Sequence, residues 1–198
     1  MKGMQTRVAK ASPAGVVERA LSETARPALD SNPDAALVKA ARRGDCAAFS
    51  ALYNAHSGWL LAVLWRLAGG DKGLAEDWLQ DAFVLAWNRL DQLREPAAFR
   101  GWLKRLAVNV ALSEKRRGTL TRVDVDAEAS APEPPWPCAD LDLERAIARL
   151  PDRARQVLVL FHLSDLGHAE IAALMGIEPG TSKAQLHRAR TLLKEMLG

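Results

Sequence analysis

Four prolines within six residues interrupt this chain and constrain its fold more than any other feature. Pro132, Pro134, Pro135 and Pro137 lie in a segment, residues 118–138, that carries four acidic side chains, one basic side chain and almost no periodic apolar residues. Proline lacks the backbone donor that a helix interior needs, and acidic, proline-rich sequence favours extended chain. We therefore expect a semi-extended linker over 118–138 with one folded unit on each side.

Both flanking parts are rich in helix-forming residues. Ala, Leu, Arg and Glu are plentiful, and no alternating apolar run is long enough to build a sheet. The predicted fold class is all-α, with two small helical domains over 32–117 and 139–198 joined by the linker. Residues 1–31 lack a sustained apolar face and are expected to form a disordered extension.

Capping residues and glycines predict where the helices begin and end. In the first domain Asn32 precedes a helix that is expected to end at Gly44, and Asp45 precedes a second helix that runs to residues 69–70. Asp71 and Pro96 are expected to begin helices over about 72–90 and 97–117. The second domain is expected to begin near residue 140, to break at 150–151 and to continue to about 163, followed by two more helices. The expected buried stripe of the second helix contains Phe49, Leu52, Tyr53, Leu60, Leu64 and Leu67.

The fourth predicted helix combines an apolar side with a strongly basic one. Residues 100–117 hold six basic side chains and one acidic, although the whole chain has a net charge of only +3. Asn109 lies among these bases, and its amide can bond the edge of a nucleotide base as both donor and acceptor. The pattern predicts a nucleic-acid-binding helix; a solvated cationic helix is the alternative.

The third predicted helix carries an acidic face. Glu76, Asp77, Gln80 and Asp81 cluster on it, which indicates a cationic partner. Paired carboxylates also occur in acid–base catalysis and at magnesium sites, but no phosphate-binding glycine loop or complementary His and Lys set accompanies them. We therefore predict no catalytic residue, no cofactor site and no enzyme.

The last part of the chain has the pattern of a helix-turn-helix. A short amphipathic helix ends at Gly176, and a longer helix follows over about 179–196, with apolar residues spaced for steep packing of the two. The outward-facing residues of the second helix are then Thr181, Lys183, Ala184, Gln185, His187 and Arg188. This arrangement predicts major-groove binding; an ordinary helical hairpin is the alternative.

Cysteine, histidine and hydropathy patterns exclude several classes of protein. Cys46 and Cys138 lie outside any CxxC pattern, and the four histidines lack ligand spacing, so neither a disulfide framework nor a metal site is predicted. Cys46 is expected to be a small buried residue, and His56 a packed or surface residue. No apolar stretch is long enough to span a bilayer, and we expect a cytoplasmic protein.

Several short motifs follow one another in a fixed order. They are LAEDWLQDAF at 74–83, FRGWL at 99–103, AVN at 107–109, KRR at 115–117, LPDR at 150–153, EIA at 170–172, GI at 176–177, GT at 180–181 and LHRAR at 186–190. In this order and spacing the chain resembles the extracytoplasmic-function (ECF, group IV) sigma factors of the bacterial sigma-70 family. The resemblance covers 34–117 and 139–198 and implies sigma domain 2 followed by sigma domain 4, a helix-turn-helix.

The resemblance implies that the protein is a promoter-specificity subunit of RNA polymerase. The residues that would bind the clamp helices of the largest polymerase subunit are Glu76, Asp77, Gln80 and Asp81. The residues that would contact DNA of the −10 element are Arg100, Lys104, Arg105, Asn109, Arg116 and Arg117, with the loop 91–98 helping to capture a flipped base. The residues that would lie at the −35 element are Thr181, Lys183, Ala184, Gln185, His187, Arg188 and Arg190. The linker would thread the RNA channel, and Leu193 and Leu197 would help to bind the polymerase flap.

The chain departs from the family pattern at a few positions. Ser182 stands where valine is usual and is expected to loosen the recognition helix, and Gln185 stands where arginine is usual. Ser113 replaces an acid, and Gly167 replaces a Ser or Thr cap. An anti-sigma factor is a further candidate partner, whereas membrane insertion and an obligate homo-oligomer are not expected. Two alternatives stay open: a stand-alone helix-turn-helix regulator that binds duplex DNA without polymerase, and an interaction protein that keeps the fold but no longer reads promoters.

Overall fold

The computed structural model describes residues 33–119, 134 and 140–198. Within this part of the chain every regular element is helical and no β-strand occurs, which confirms the predicted all-α class. The α-helices are α1 (Asp34–Ala41), α2 (Cys46–Ala68), α3 (Lys72–Arg89), α4 (Phe99–Thr119), α5 (Leu141–Arg149), α6 (Asp152–Leu163), α7 (His168–Met175) and α8 (Pro179–Leu197). The predicted N-terminal extension with Asn32 and nearly all of the predicted linker lie outside the described residues.

Aspartates cap the starts of several helices. Asp45 Oδ1 accepts hydrogen bonds from the backbone amides of Ala47 and Ala48 at 2.9 and 3.0 Å. Asp71 and Asp140 accept an amide in the same way at the starts of α3 and α5. Each carboxylate satisfies amides that the first turn of a helix leaves without a partner. These starts agree with the sequence prediction.

Three predicted boundaries are wrong by a few residues. α1 ends at Ala41, and a turn follows in which Gly44 adopts a left-handed φ of 89°. Pro96 begins a 3-10 turn, so that α4 starts only at Phe99. α4 then continues to Thr119, into the segment predicted as linker, because the prolines that stop a helix lie further along the chain.

The first domain is built around large aromatic side chains. Trp65 on α2, Trp78 on α3 and Phe99 at the start of α4 are almost completely buried. They lie where α3 packs between α2 and α4. Leucines on α2, at the spacing that keeps them on one side of the helix, complete this core.

Hydrogen bonds and ring contacts of the buried His56 connect α1, α2 and α4. His56 Nε2 lies 2.9 Å from Asp34 Oδ2, and Trp59 Nε1 donates to His56 Nδ1 at 3.0 Å. Because an indole N–H can only donate, Nδ1 is the acceptor and Nε2 donates to the carboxylate. The His56 ring also packs against Phe99, with 5.3 Å between the ring centroids, and so helps to fix the start of α4.

The two helical units pack against each other. α2 contacts α5 and α6, α4 contacts α7, and the buried apolar residues of both units form one continuous cluster. Gly69, just after α2, has a φ of 75°, and a Cβ there would stand 2.8 Å from a guanidinium nitrogen of Arg155 on α6. The left-handed φ favours glycine at this position, and a side chain there would also displace the guanidinium of Arg155. The sequence predicted two units but not their contact.

Candidate nucleic-acid interface

The basic residues predicted to contact −10 DNA lie along α4. Apolar residues of this helix such as Leu103 and Ala107 are fully buried and pack it into the core of the domain. The exposed members of the predicted set are Arg105, Asn109, Arg116 and Arg117, and the half-buried members are Arg100 and Lys104. A single rigid helix therefore presents the cations and the amide.

Arg100 is held at the start of α4 by an aromatic ring. Its guanidinium carbon lies 4.5 Å from the centroid of the Trp59 ring, which is a cation–π arrangement. Burial lowers the pKa of Arg100 below its usual value, while Asp34 and Asp165 act in the opposite direction. Arginine keeps its charge at any physiological pH, so this end of α4 carries a fixed cation.

The connection between α3 and α4 is anchored from α1. Arg42 Nε donates to the Leu90 carbonyl at 3.2 Å, and Arg42 Nη2 donates to the Leu93 carbonyl. The Leu93 side chain is buried, whereas residues 91, 92, 94 and 95 are exposed. The connection is therefore a fixed frame with outward-facing side chains, next to the first turn of α4.

The second domain lies against the basic side of α4. Lys104 Nζ donates to Asp165 Oδ2 at 2.9 Å and to the Leu163 carbonyl at 3.4 Å. Arg105 Nη2 lies 3.8 Å from Glu170 Oε1 on α7. Two predicted DNA contacts thus meet carboxylates of the same chain.

A cavity of about 270 Å³ separates the next part of α4 from α7. Asn109 lines it from one side, and Leu166 and Ala173 line it from the other. At the far end Arg116 Nη1 donates to the Leu174 carbonyl at 3.1 Å. α7 therefore stands over the amide that was predicted to bind a base.

A buried ion pair joins the domains behind this face. Arg66 on α2 donates through Nε to Glu144 Oε2 at 3.0 Å and through Nη2 to Glu144 Oε1. Arg66 Nη1 also donates to the Ala62 carbonyl at 3.0 Å. Both charged side chains are more than nine-tenths buried. The pair is bidentate, and because both charges are buried, removal of either one would leave the other without compensation.

Lys115, near the end of α4, also forms an ion pair with the second domain, and this pair is partly exposed. Its Nζ donates to the Leu67 carbonyl at 3.1 Å and to the carboxylate of Asp152 on α6. Burial lowers the pKa of Lys115, and Asp152 opposes that shift. The lysine thus has a protein partner in place of solvent.

The last two helices have helix-turn-helix geometry. Gly176 ends α7 in the left-handed region with a φ of 65°, and the Ile177 amide donates to the Ala172 carbonyl at 3.0 Å. α8 then buries Leu186 and Ala189 against the rest of the domain. The predicted −35 residues that are exposed are Thr181, Lys183, Ala184, His187, Arg188 and Arg190, and Gln185 is half buried. Arg190 lies beside α6, where its Nη2 is 3.2 Å from His162 Nε2.

The predicted polymerase-binding residues lie together on the surface of α3. Glu76, Asp77, Gln80 and Asp81 are all exposed on α3, and Lys72 Nζ lies 3.7 Å from Glu76 Oε1. The exposed carboxylates of Asp77 and Asp81 can therefore meet a cationic partner.

An apolar groove of about 790 Å³ runs beside this acidic face, between α2 and α3. Its walls include Phe49, Phe83, Val84 and Trp87, and Phe49 and Trp87 meet with ring centroids 4.8 Å apart. The sequence analysis missed this groove. The signal that could have found it is the apolar Val84, which lies one helical turn beyond Gln80 and Asp81 on α3.

Two expectations about groove residues are wrong. Tyr53 was expected in the buried stripe of α2, but it is 41% exposed and packs on Phe83, with 4.6 Å between centroids. Cys46 was expected to be buried, but it is exposed at the groove's edge. Both residues line the groove, which leaves them partly open to solvent.

Comparisons with known proteins identify the family. The model of sigma-70 region 2 matches residues 52–121, and that of sigma-70 region 4 matches residues 140–193. The ECF RNA polymerase sigma factor SigM of Mycobacterium tuberculosis is 33% identical over 174 residues, which cover 83% of this chain and 85% of the relative. The chain belongs to the ECF sigma factors of the sigma-70 family. The ECF RNA polymerase sigma-E factor of Escherichia coli is 32% identical over 174 residues, covering 79% of this chain and 90% of the relative.

Two solved structures have a similar architecture. RpoE of Bartonella quintana, solved in complex with the anti-sigma factor NepR, matches with a TM-score of 0.55 and 26% identity over 75% of this chain and 96% of that one. CnrH, solved in complex with the cytosolic domain of CnrY, matches with a TM-score of 0.50 and 27% identity over 83% of this chain and 96% of that one. The sigma factor described here thus has sigma domains 2 and 4, as its motifs predicted. Sigma factors are not enzymes.

Ser182 has a role in this sigma factor that its sequence did not reveal. The side chain is fully buried, and its Oγ lies 2.9 Å from His168 Nδ1 across the turn. The His168 ring in turn stacks on Phe161, with 4.9 Å between centroids. The predicted loosening of the recognition helix is therefore not what the geometry indicates: Ser182 fastens α8 to α7. At the start of α7 the missing Ser or Thr cap is compensated in part, because Glu170 Oε2 accepts the Gly167 amide at 2.9 Å.

Replacing Ser182 tests this assignment. Ser182→Ala removes the hydroxyl and the hydrogen bond that it makes with the half-buried imidazole of His168, which should lower the free energy of unfolding by about 1 kcal/mol. Urea denaturation followed by circular dichroism measures the change. Ser57→Ala, at a half-buried position on α2, is the control and should have a smaller effect. An equal or more stable Ser182→Ala variant would contradict the role given to this bond.

Over residues 33–119 and 140–198, no helix is both long and apolar enough to cross a membrane. In the same part of the chain, no group of three or more His, Cys, Asp or Glu side chains is arranged to hold a metal ion.

Proposed function

We propose that this sigma factor binds core RNA polymerase and directs transcription initiation at promoters with −35 and −10 elements. The observation that carries the proposal is that one chain of this family presents three separate surfaces of suited chemistry. They are the acidic face and groove of the first domain, the basic side of α4 and the outer side of α8. The domain assignment that goes with it is 32–117 for sigma domain 2 and 139–198 for sigma domain 4.

Core polymerase would dock on the first domain. The exposed carboxylates of Asp77 and Asp81 suit a cationic helical partner such as the clamp helices of the largest subunit. The adjacent groove has Phe83 and Trp87 in its wall. It would add buried apolar surface to the interface, which charged contacts alone do not provide. The flap would meet apolar residues at the end of α8, including Leu197.

Promoter DNA would be read by two helices. Asn109 and the connection before α4 would hold a flipped base of the melted −10 element, while the α4 cations neutralise its phosphates. Lys183, His187 and Arg188 on α8 would enter the major groove at the −35 element. Lys and Arg suit guanine edges and phosphates in this position.

An anti-sigma factor is a partner that we also propose. RpoE of Bartonella quintana, which this chain resembles, was captured with the anti-sigma factor NepR. The apolar groove and the charged surfaces that would meet polymerase and DNA are the surfaces that an inhibitor must cover. We place the protein in the cytoplasm, where polymerase and promoters are.

Polymerase binding separates this function from its closest rival. A stand-alone helix-turn-helix regulator would bind duplex DNA without polymerase, whereas a sigma factor needs it. Gel filtration of the full chain with purified core polymerase is expected to give a stoichiometric complex that retains promoter DNA. Duplex binding by the free chain, with no polymerase complex, would favour the regulator instead. A polymerase complex that never engages a promoter would favour an interaction protein that has lost promoter reading.

A further inference from the structure

The cavity beside α4 is bordered by a polar group that the protein itself does not satisfy. Ser164, in the connection between α6 and α7, lines this cavity and is only 4% exposed. Its Oγ is buried and has no hydrogen-bond partner among the residues that the structure describes. A hydroxyl that is shielded from water without a hydrogen bond is costly, and folded proteins rarely keep one. We therefore expect the partner of this hydroxyl to lie inside the cavity.

A carboxamide lines the same cavity from α4. Asn109 is exposed, and its side chain makes no hydrogen bond within the described part of the chain. A carboxamide donates and accepts at the same time, and a hydroxyl can do either. Asn109 and Ser164 thus offer hydrogen bonds to a bound molecule from two different elements of the fold.

The charged side chains at the cavity are already paired within the protein. Lys104 Nζ donates to Asp165 Oδ2 at 2.9 Å. Glu170 Oε1 lies 3.8 Å from Arg105 Nη2, and Glu170 Oε2 accepts the Gly167 amide at 2.9 Å. An ionic molecule would have to displace one of these partners, whereas an uncharged molecule would not. The charges therefore favour an uncharged occupant.

The remaining walls of the cavity are apolar. Val108 lines it from α4, Leu166 from the connection before α7, and Ala173 and Leu174 from α7. The volume is about 270 Å³. A single water molecule takes up only roughly 30 Å³ in the liquid, so the cavity has room for a small ring system. Apolar walls from two helices suit the two faces of a ring.

We propose that this cavity is a binding site for a small uncharged ring compound with an amide-type edge, such as an aromatic carboxamide or a lactam. The amide edge bonds the Asn109 carboxamide and the Ser164 hydroxyl, and the ring lies between the apolar walls. This assignment uses no contact with polymerase or DNA. One consequence rests on the proposed function: Asn109 cannot bond such a compound and a −10 base at the same time, so the compound competes with promoter DNA for this amide.

Titration of the full chain with benzamide tests the site. Isotope-labelled methyl groups of Val108 and Ala173 report on binding by nuclear magnetic resonance, because both residues line the cavity. We expect saturable shifts of both signals, with a dissociation constant on the order of 1 mM or tighter. The lactam pyridone, a second uncharged compound, is expected to shift the same signals. Benzoate has the same ring as benzamide but carries a carboxylate, and it should bind at least about tenfold more weakly because the nearby cations are already paired.

Ser164→Ala separates binding from folding. It is expected to weaken benzamide binding by about three- to tenfold, since one hydrogen bond is lost. The midpoint of urea denaturation should stay the same or rise, because the Ser164 hydroxyl bonds nothing within the described residues. Ser57→Ala is the matched control, because Ser57 is half buried on α2 and lies outside this cavity. Its affinity for benzamide should equal that of the unaltered chain.

Ala173→Phe tests the position of the compound by filling the cavity. Ala173 is exposed on α7, so the folded chain can carry the larger side chain. We expect this variant to lose detectable benzamide binding. Ala55→Phe makes the same change at an exposed position on α2 and should leave binding unchanged.

Three results would overturn the proposal. The first is the absence of saturable shifts with both benzamide and pyridone, which would mean that water alone satisfies Ser164. The second is unchanged benzamide affinity in Ser164→Ala or in Ala173→Phe, which would place the compound elsewhere on the protein. The third is binding of benzoate as tight as that of benzamide, which would exclude selection for an uncharged compound. No readout contains polymerase or DNA, so a failure of the proposed function would leave the binding site standing.

Discussion

Asn109→Ala is expected to lower the rate of promoter opening by roughly 10- to 100-fold while leaving the affinity for core polymerase unchanged. The amide is exposed on α4, on the side that carries Lys104 and Arg105. A carboxamide both donates and accepts, whereas alanine does neither, so the variant loses the bonds that offset the cost of extruding a base. Open complexes are counted by permanganate reactivity of unpaired thymines with saturating sigma factor and polymerase.

Asn54→Ala is the matched control for this experiment. Asn54 is an exposed asparagine on α2 that lines neither the groove nor the cavity beside α4. The Asn54→Ala substitution removes the same carboxamide group from another helix of the same domain, and it should leave promoter opening intact. Unchanged opening in Asn109→Ala would reject the role of this amide. A parallel loss of polymerase affinity would show that the variant acts through docking instead.

Val84→Glu is expected to weaken binding of core polymerase by about thirtyfold or more. The Val84 side chain is 55% exposed at the rim of the apolar groove and next to Gln80, so the folded chain tolerates the change. In the complex, however, the new carboxylate would be buried against apolar groups without a partner. Titration of labelled sigma factor with core polymerase measures the effect.

Ala55→Glu separates this effect from that of charge alone. Ala55 is exposed on α2 and lies outside the groove lining. The substitution therefore adds the same charge to the same domain without altering the groove. We expect its polymerase affinity to match that of the unaltered chain. Equal affinity of Val84→Glu and the unaltered chain would exclude the groove from the docking surface, and an equal loss in both variants would assign the effect to net charge.

Local sequence signals predicted most of the helical framework. Asp45 and Asp71 mark helix starts because a capping carboxylate acts on amides two or three residues away. Gly176 marks the turn of the helix-turn-helix because the chain must adopt a left-handed φ there. The exposure of the recognition residues on α8 follows from the same short-range periodicity. Such signals require no knowledge of the rest of the fold.

These local signals could not predict contacts between residues that are far apart in the sequence. Arg66 and Glu144 are 78 positions apart, and neither is distinguished locally from a surface charge. The bond of Ser182 to His168 likewise needs the relative position of two helices, so a polar residue at a core position was interpreted as a packing defect. The exposure of Tyr53 depends on the groove that α2 and α3 form together. Helical spacing shows which side of a helix is apolar, but not whether a neighbour covers it.

Transcription by purified core RNA polymerase on fragmented genomic DNA, with and without this sigma factor, tests the central claim most directly. The 5′ ends of the transcripts are mapped in both reactions. We predict new start sites, dependent on the sigma factor, that share one −35 sequence and one −10 sequence at fixed spacing. Identical start sites in both reactions, from a chain that also forms no complex with polymerase, would contradict the account.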